Sequence, residues 1–233
     1  MNITIRRFDK RKEPQSIDMT YPLFEGLTLL ENLIKIKTTI DPTLSFNGVC
    51  RSGVCGSCGV SVNGKAKLSC SYKPSDGDVI EPLAYHEVER DLIVDKTKTH
   101  KTLKTSHAHL LGSAILENSS KVTVQSDCIL CDSCYSACPV LAVNSDFLGP
   151  FALTKVYRYT LQSNENKKAI DAIQKNGIWD CTLCGECTLT CPQDIDPKTD
   201  IMNLRSISVQ NGYNDPNFAN MSFGDFEFNN LFR

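Results

Sequence analysis

Two stretches, CILCDSCYSACP at 128–139 and CTLCGECTLTCP at 181–192, repeat the pattern Cys-x2-Cys-x2-Cys-x3-Cys-Pro at a constant offset. No other feature limits so severely what this chain can fold into. Three thiols spaced by two residues wrap one face of a cubane iron–sulfur cluster from a single loop, while the fourth, followed by Pro, reaches the other cluster in two-cluster ferredoxins. The repeat therefore predicts a reciprocal clasp. Cys128, Cys131 and Cys134 join Cys191 on a middle [4Fe–4S] cluster, and Cys181, Cys184 and Cys187 join Cys138 on a distal one. Pro139 and Pro192 redirect the backbone at each fourth thiol.

The chain has 12 Cys, and the remaining four stand in CRSGVCGSCGVSVNGKAKLSC. Cys50, Cys55, Cys58 and Cys70 have the plant-type [2Fe–2S] spacing, three ligands in a loop and a fourth from the following strand. Gly53, Gly56 and Gly59 suit a backbone that wraps tightly and aims N–H groups at sulfur. The alternatives fit less well. A Rieske centre needs two His ligands, and this loop has none. Zinc ribbons use two pairs of ligands, which leaves a third Cys and a Cys-Pro in each run unexplained. Neighbours in Cys-x2-Cys are poorly placed to bridge one another as disulfides. No Cys is left over as a catalytic thiol, and His86, His100, His107 and His109 keep no metal-like spacing with the Cys groups. Trp179 and Arg51 lie beside predicted ligands, where packing accounts for them as well as cluster tuning does.

Along the 233 residues the pattern changes once. Residues 1–105 read as a β-rich ferredoxin-type domain with its linker. ITIRRF and SIDMTYPLF form two strands, Thr28 caps a helix over LLENLIKIKTTI, a hairpin turns at Asn63-Gly64, and DVIEP closes the sheet. The charged stretch 83–105 connects it to a helical domain at 106–212, with apolar stripes in SHAHLLGSAILEN, PFALTKVYRYTLQ and ENKKAIDAIQKNG. The predicted fold class is α+β: an N-terminal β-grasp, then an α-helical two-cluster domain. From 213 to 233 the chain is rich in Asn and Phe (Phe218, Phe223, Phe226, Phe228, Phe232) and reads as either a loose end or a partner-docking strap. A formal charge of −2 argues against nucleic acid as a partner. No apolar run is long enough to span a bilayer. Arg6-Arg7 lacks the apolar segment of an export signal, and Ile3 and Ile5 alternate as in a first strand.

A plant-type ferredoxin loop followed by two CxxCxxCxxxCP runs, with FLGPFALTKVYRY between them, resembles the iron–sulfur subunit of the succinate dehydrogenase/fumarate reductase family. The resemblance covers residues 1 to about 210. It implies an electron relay between an FAD-containing flavoprotein that holds the dicarboxylate site and a membrane-associated, quinone-reactive partner, with no substrate site on this chain. Two departures matter. Well-known members have a non-Cys residue where this chain has Cys184, and their distal cluster is [3Fe–4S]; the extra thiol here predicts [4Fe–4S]. Those members also follow the first Cys-Pro with aromatic residues, including a quinone-contacting Trp, whereas Pro139 is followed by Val140, Leu141 and Ala142. Both departures resemble the variant group with a cysteine-rich, peripheral third subunit. The expected location is peripheral on the cytoplasmic membrane within a complex, on its cytoplasmic face unless a partner's signal carries the assembly across. The rival expectation is the relay of a heterodisulfide- or glycolate-type dehydrogenase, or a freestanding multi-cluster ferredoxin.

Overall fold

The computed structural model describes residues 1–12 and 14–216. Strand β1 (Asn2–Phe8) buries Ile3 and Ile5 completely, as alternation demands. It pairs antiparallel with β2 (Ser16–Pro22) and parallel with β5, completing a five-stranded sheet in the order β2-β1-β5-β3-β4. Helix α1 (Leu29–Thr39) begins with a reciprocal cap: the Glu31 N–H donates to Thr28 Oγ1 (3.3 Å) and the Thr28 N–H to Glu31 Oε2 (2.7 Å). Its face of Leu29, Leu33 and Ile36 is buried against Ile3, Ile5, Val60, Val62 and Ile80. Strands β3 (Gly59–Val62) and β4 (Lys65–Leu68) meet at Asn63 and Gly64, whose φ values of 50° and 77° suit a primed turn. Short β5 (Val79–Glu81) fills the gap between β1 and β3. Sheet and helix form the expected β-grasp.

The charged connector is itself structured. It holds a hairpin of β6 (Glu87–Arg90) and β7 (Ile93–Asp95), then helix α2 (Thr97–Thr105). Arg7 ties the hairpin to the first sheet: its guanidinium grips Asp91 (2.9 and 3.2 Å) and also reaches Tyr21 (2.7 Å) and Asp41. A helix over SHAHLLGSAILEN does not form. Helix α2 ends before that segment, His107 has φ 51° and Gly112 φ 59°, and a 3-10 stretch begins only at Leu116. Long-range bonds hold it open along the end of another helix. The Ile115 N–H donates to Gln162 O (2.7 Å), and the Ser113 N–H to Asn164 Oδ1 (2.9 Å). His107 and His109 accordingly do not lie on a helix.

The remaining elements are α3 (Thr123–Ser126), α4 (Ser133–Ser136), α5 (Pro150–Gln162), α6 (Lys167–Ala172), α7 (Glu186–Thr190) and α8 (Pro197–Gln210). Helix α6 covers only part of ENKKAIDAIQKNG, which continues in turns. Phe151, Leu153 and Val156 of α5 pack with Ile201 and Leu204 of α8, and with Tyr135, Ile170 and Trp179, in a second core. The phenylalanines from Phe218 onward lie outside the described residues.

Candidate metal centres

Cys50 and Cys55 sit on a surface loop, while Cys58 and Cys70 are buried beneath it at 3% and 8% exposure. The loop turns through three left-handed residues, Arg51, Gly53 and Gly56. This curvature directs backbone donors at sulfur. The N–H groups of Ser52 (3.5 Å) and Cys55 (3.3 Å) donate to Cys50 Sγ, and that of Gly53 donates to Cys70 Sγ (3.3 Å). The Ser52 donor leads in drawing the Cys50 thiol down to about 6, and contacts with Ser57 lower Cys55. Burial pushes Cys70 up to about 11, with Cys58 adding to the rise.

The two long runs fold alike. Leu130 and Leu183 have φ of 52° and 56°, and Asp132 and Gly185 have φ of 65° and 87°. A leucine in the left-handed region is strained, so its recurrence at matched positions marks a constraint shared by the two loops. Each loop continues into one short helix, α4 or α7. Each then ends with an extended Cys before Pro: Cys138 at φ −81°, ψ 115° and Cys191 at φ −69°, ψ 118°.

These exits cross over. One apolar cavity is lined by Cys128, Cys131 and Cys134 from the first run, by Cys191 from the second, and by Phe151. Burial raises the Cys128, Cys131 and Cys134 thiols, and Cys191 is an electrostatic neighbour of all three. Cys138, 5% exposed, is pushed up to about 11 by burial beside Cys181 and Cys184. Cys187 rises to about 12 through burial, then through Cys181 and Cys138; Cys181 is also raised by burial. Cys184 lies on the exposed rim. Cys187 also acts on Cys134, so the two groups adjoin.

All three groups lie close together. A Cβ on Gly56 would fall 2.8 Å from Ile129 O and 2.9 Å from Cys131 Cα, so the surface loop lies backbone to backbone on the first long run. Cys58, Cys70 and Cys131 share one buried cluster with Leu30 and Leu68. Gln193, just beyond Cys191, donates to Gly53 O (3.3 Å).

The donor set suits iron–sulfur clusters. Desolvated thiols resist ionisation unless a metal supplies positive charge, and an all-thiol set favours soft iron or zinc chemistry. Among the described residues, no three His, Cys, Asp or Glu side chains are gathered as a single metal ion requires; the first run's thiols and Cys191 instead border a shared space. A bound cluster would supply one-electron redox chemistry.

Several neighbours of the thiols were not visible from spacing. Lys96 Nζ donates to Cys131 O (3.2 Å) and lies 3.3 Å from Asp132 Oδ2. His86, its side chain 1% exposed, faces the same carboxylate at 3.8 Å, and burial lowers its pKa. Lys155 Nζ donates to Cys128 O (3.3 Å), and Arg205 Nη2 to Cys181 O (2.6 Å). Lys155 alone left a trace in the sequence, a cation within the apolar stripe of α5.

Residues 2–101 match the family of 2Fe-2S iron-sulfur cluster binding domains, and residues 124–195 the 4Fe-4S dicluster domain. The fumarate reductase iron-sulfur subunit of Haemophilus influenzae is 33% identical over 86% of this chain and 90% of its own length. The 8-methylmenaquinol:fumarate reductase iron-sulfur subunit of Wolinella succinogenes is 35% identical over 92% of this chain and 74% of its own. This chain belongs to the fumarate reductase/succinate dehydrogenase iron–sulfur subunit family. A chain of the Mycobacterium smegmatis Sdh1 complex in the apo form superposes with a TM-score of 0.77 at 20% identity, over 91% of this chain and 97% of that one, and so shares the fold. As a member of this iron–sulfur subunit family, the protein is the electron-transfer component of an oxidoreductase, carrying 2Fe-2S and 4Fe-4S chemistry. No helix among the described residues is long and apolar enough to cross a membrane.

Proposed function

We propose that this chain relays electrons in single file between an FAD-bearing flavoprotein and a membrane-associated, cysteine-rich, quinone-reactive subunit, on a peripheral complex at the membrane. Cys50, Cys55, Cys58 and Cys70 hold [2Fe–2S]. Cys128, Cys131, Cys134 and Cys191 hold the middle [4Fe–4S], and Cys138, Cys181, Cys184 and Cys187 hold the distal [4Fe–4S]. The observation that carries this reading is the cavity lined jointly by the first run and Cys191, with the surface loop pressed against Cys131 through Gly56. That contiguity is what serial one-electron transfer needs. Val49 and Val54, 76% and 66% exposed beside Cys50 and Cys55, offer an apolar rim for the flavoprotein. The relatives named as fumarate reductase subunits favour this role over a freestanding ferredoxin.

The test is purification of the native complex, with iron and sulfide analysis and low-temperature EPR, on wild type and Cys184→Ser. The expected wild type contains about ten irons per chain, from one two-iron and two four-iron clusters, and co-purifies with a flavin-bearing chain. Cys184→Ser loses one iron and gains a new oxidised-state signal. Elution as a lone carrier, or an unchanged distal signal in the variant, overturns the corresponding part of the proposal.

A further inference from the structure

Lys155 is 9% exposed in the middle of α5, where it follows Phe151 by one helical turn and so lies on the same face. Phe151 lines the cavity of Cys128, Cys131, Cys134 and Cys191, and the Lys155 ammonium donates to the Cys128 carbonyl. Among the described residues it makes no ion pair with a carboxylate within 4.0 Å, although Asp127 and Arg158 act on it from further away. A buried cation without a counter-ion is costly, and proteins pair such charges or place them against bound ions. Lys96 differs in this respect. It also donates to a ligand carbonyl, that of Cys131, but Asp132 neutralises it at 3.3 Å.

We infer that Lys155 is the built-in counter-charge of the middle cluster, a positioning residue that sets this cluster's reduction potential while Lys96 contributes little net charge. The inference rests on the ligand set proposed above for that cluster. Four thiolates and sulfide make a reduced cluster more anionic, so a fixed cation held nearby in a low-dielectric setting favours the reduced form. The carbonyl contact holds the ammonium in place, and at 9% exposure little water competes for it. The middle station is thus tuned separately from its neighbours, by a side chain that contacts neither of them.

The experiment is an EPR-monitored redox titration of the intact complex carrying Lys155→Gln, Lys155→Arg, or Lys96→Met together with Asp132→Asn, a double variant that removes both charges of that pair. Gln retains a donor for the Cys128 carbonyl but removes the charge, so it isolates the electrostatic effect. The expected result is a negative shift of the middle cluster's midpoint in Lys155→Gln, with the [2Fe–2S] and distal midpoints unmoved. Lys155→Arg restores it, and the Lys96→Met/Asp132→Asn double variant gives a smaller shift. An unmoved middle midpoint in Lys155→Gln at full iron content overturns the inference. So does an equal shift of all three clusters, or a larger effect from the Lys96→Met/Asp132→Asn double variant. Should Lys155→Gln lose the middle cluster, Lys155→Arg decides: retained cluster and wild-type midpoint support the inference, and loss in both variants overturns it in favour of a packing role. Wild-type complex lacking a second cubane signal would instead refute the ligand assignment, a distinct failure.

Discussion

In the N-terminal half, Cys50 lies near the surface under two backbone N–H donors that ease its ionisation, whereas in the helical half Cys131, Cys138 and Cys187 are nearly sealed off and their thiols are raised. The contrast extends beyond sulfur. The β-grasp half pairs its buried Arg7 with Asp91 and Asp41. The helical half buries Lys155 and Asp200 with no ion-pair partner among the described residues. One half pairs its buried guanidinium within its own fold, and the other leaves the Lys155 ammonium for an anionic bound cluster to balance. Ligand loops of similar chemistry thus differ in how much of their order precedes the metal.

Exchanging one clasp thiol should have the largest effect. Cys191→Ser should abolish the middle cluster's EPR signal, although three of that cluster's four proposed ligands lie in the other run. Cys138→Ser should abolish the distal signal, and both should reduce electron transfer through the complex by orders of magnitude. A variant that loses the cluster of its own run instead would break the crossed arrangement.

Next in size is the response to iron removal. After chelation, amide hydrogen exchange should accelerate across α4, α7 and the loops before them, while β1, β3 and α1 stay protected, because metal binding there is part of folding. Equal loss of protection in both halves would erase the contrast.

The junction offers a smaller, graded test. At Gly56 an added Cβ meets backbone at 2.8 Å with φ at 66°, so Gly56→Ala should cost about 2–4 kcal/mol. At Gly53, φ is 74° but nothing lies within 4 Å, so Gly53→Ala should cost about 1 kcal/mol. Denaturant titration of the two variants separates strain from collision, and equal costs would show that the halves do not touch there.

A pH-dependent test concerns Asp200, 2% exposed on α8. Burial raises its carboxyl to about 6, though Gln125 donates to Oδ1 at 2.8 Å. Because its folded pKa exceeds its unfolded one, its stabilising contribution is full below about pH 4 and is lost as pH rises through about 6. Asp200→Asn should flatten that slope and gain about 2–3 kcal/mol at pH 7. Thermal unfolding between pH 4 and 7 measures it, and an unchanged slope would remove Asp200 from the contrast.

Local chemistry was legible in the chain; distant pairing was not. The Thr28 cap and the Asn63-Gly64 turn are decided within a few residues, and each formed as expected. The Cys spacing likewise announced tightly curved loops, and left-handed residues recur at matched positions of both runs. Periodicity misled at SHAHLLGSAILEN, where the Gln162 carbonyl and the Asn164 side chain capture the Ile115 and Ser113 N–H groups. Those bonds join residues far apart in sequence, and an apolar stripe carries no information about them. Helix α2 was missed for the converse reason: TKTHKTLKT has almost no apolar stripe, and Thr99 is its one buried residue. Lys155 left only a faint trace, a cation in the stripe of α5, because a lysine in a helix ordinarily reads as solvated.

The exchange of exits at Pro139 and Pro192 also constrains biogenesis. With the proposed ligand sets, a ribosome that has released Cys134 has made three of four ligands and must still deliver Cys191, so neither cubane can be sealed before the second run is made. The nascent helical half must wait, open and oxidisable, until the second run has emerged. Iron delivery is thereby tied to synthesis of that run.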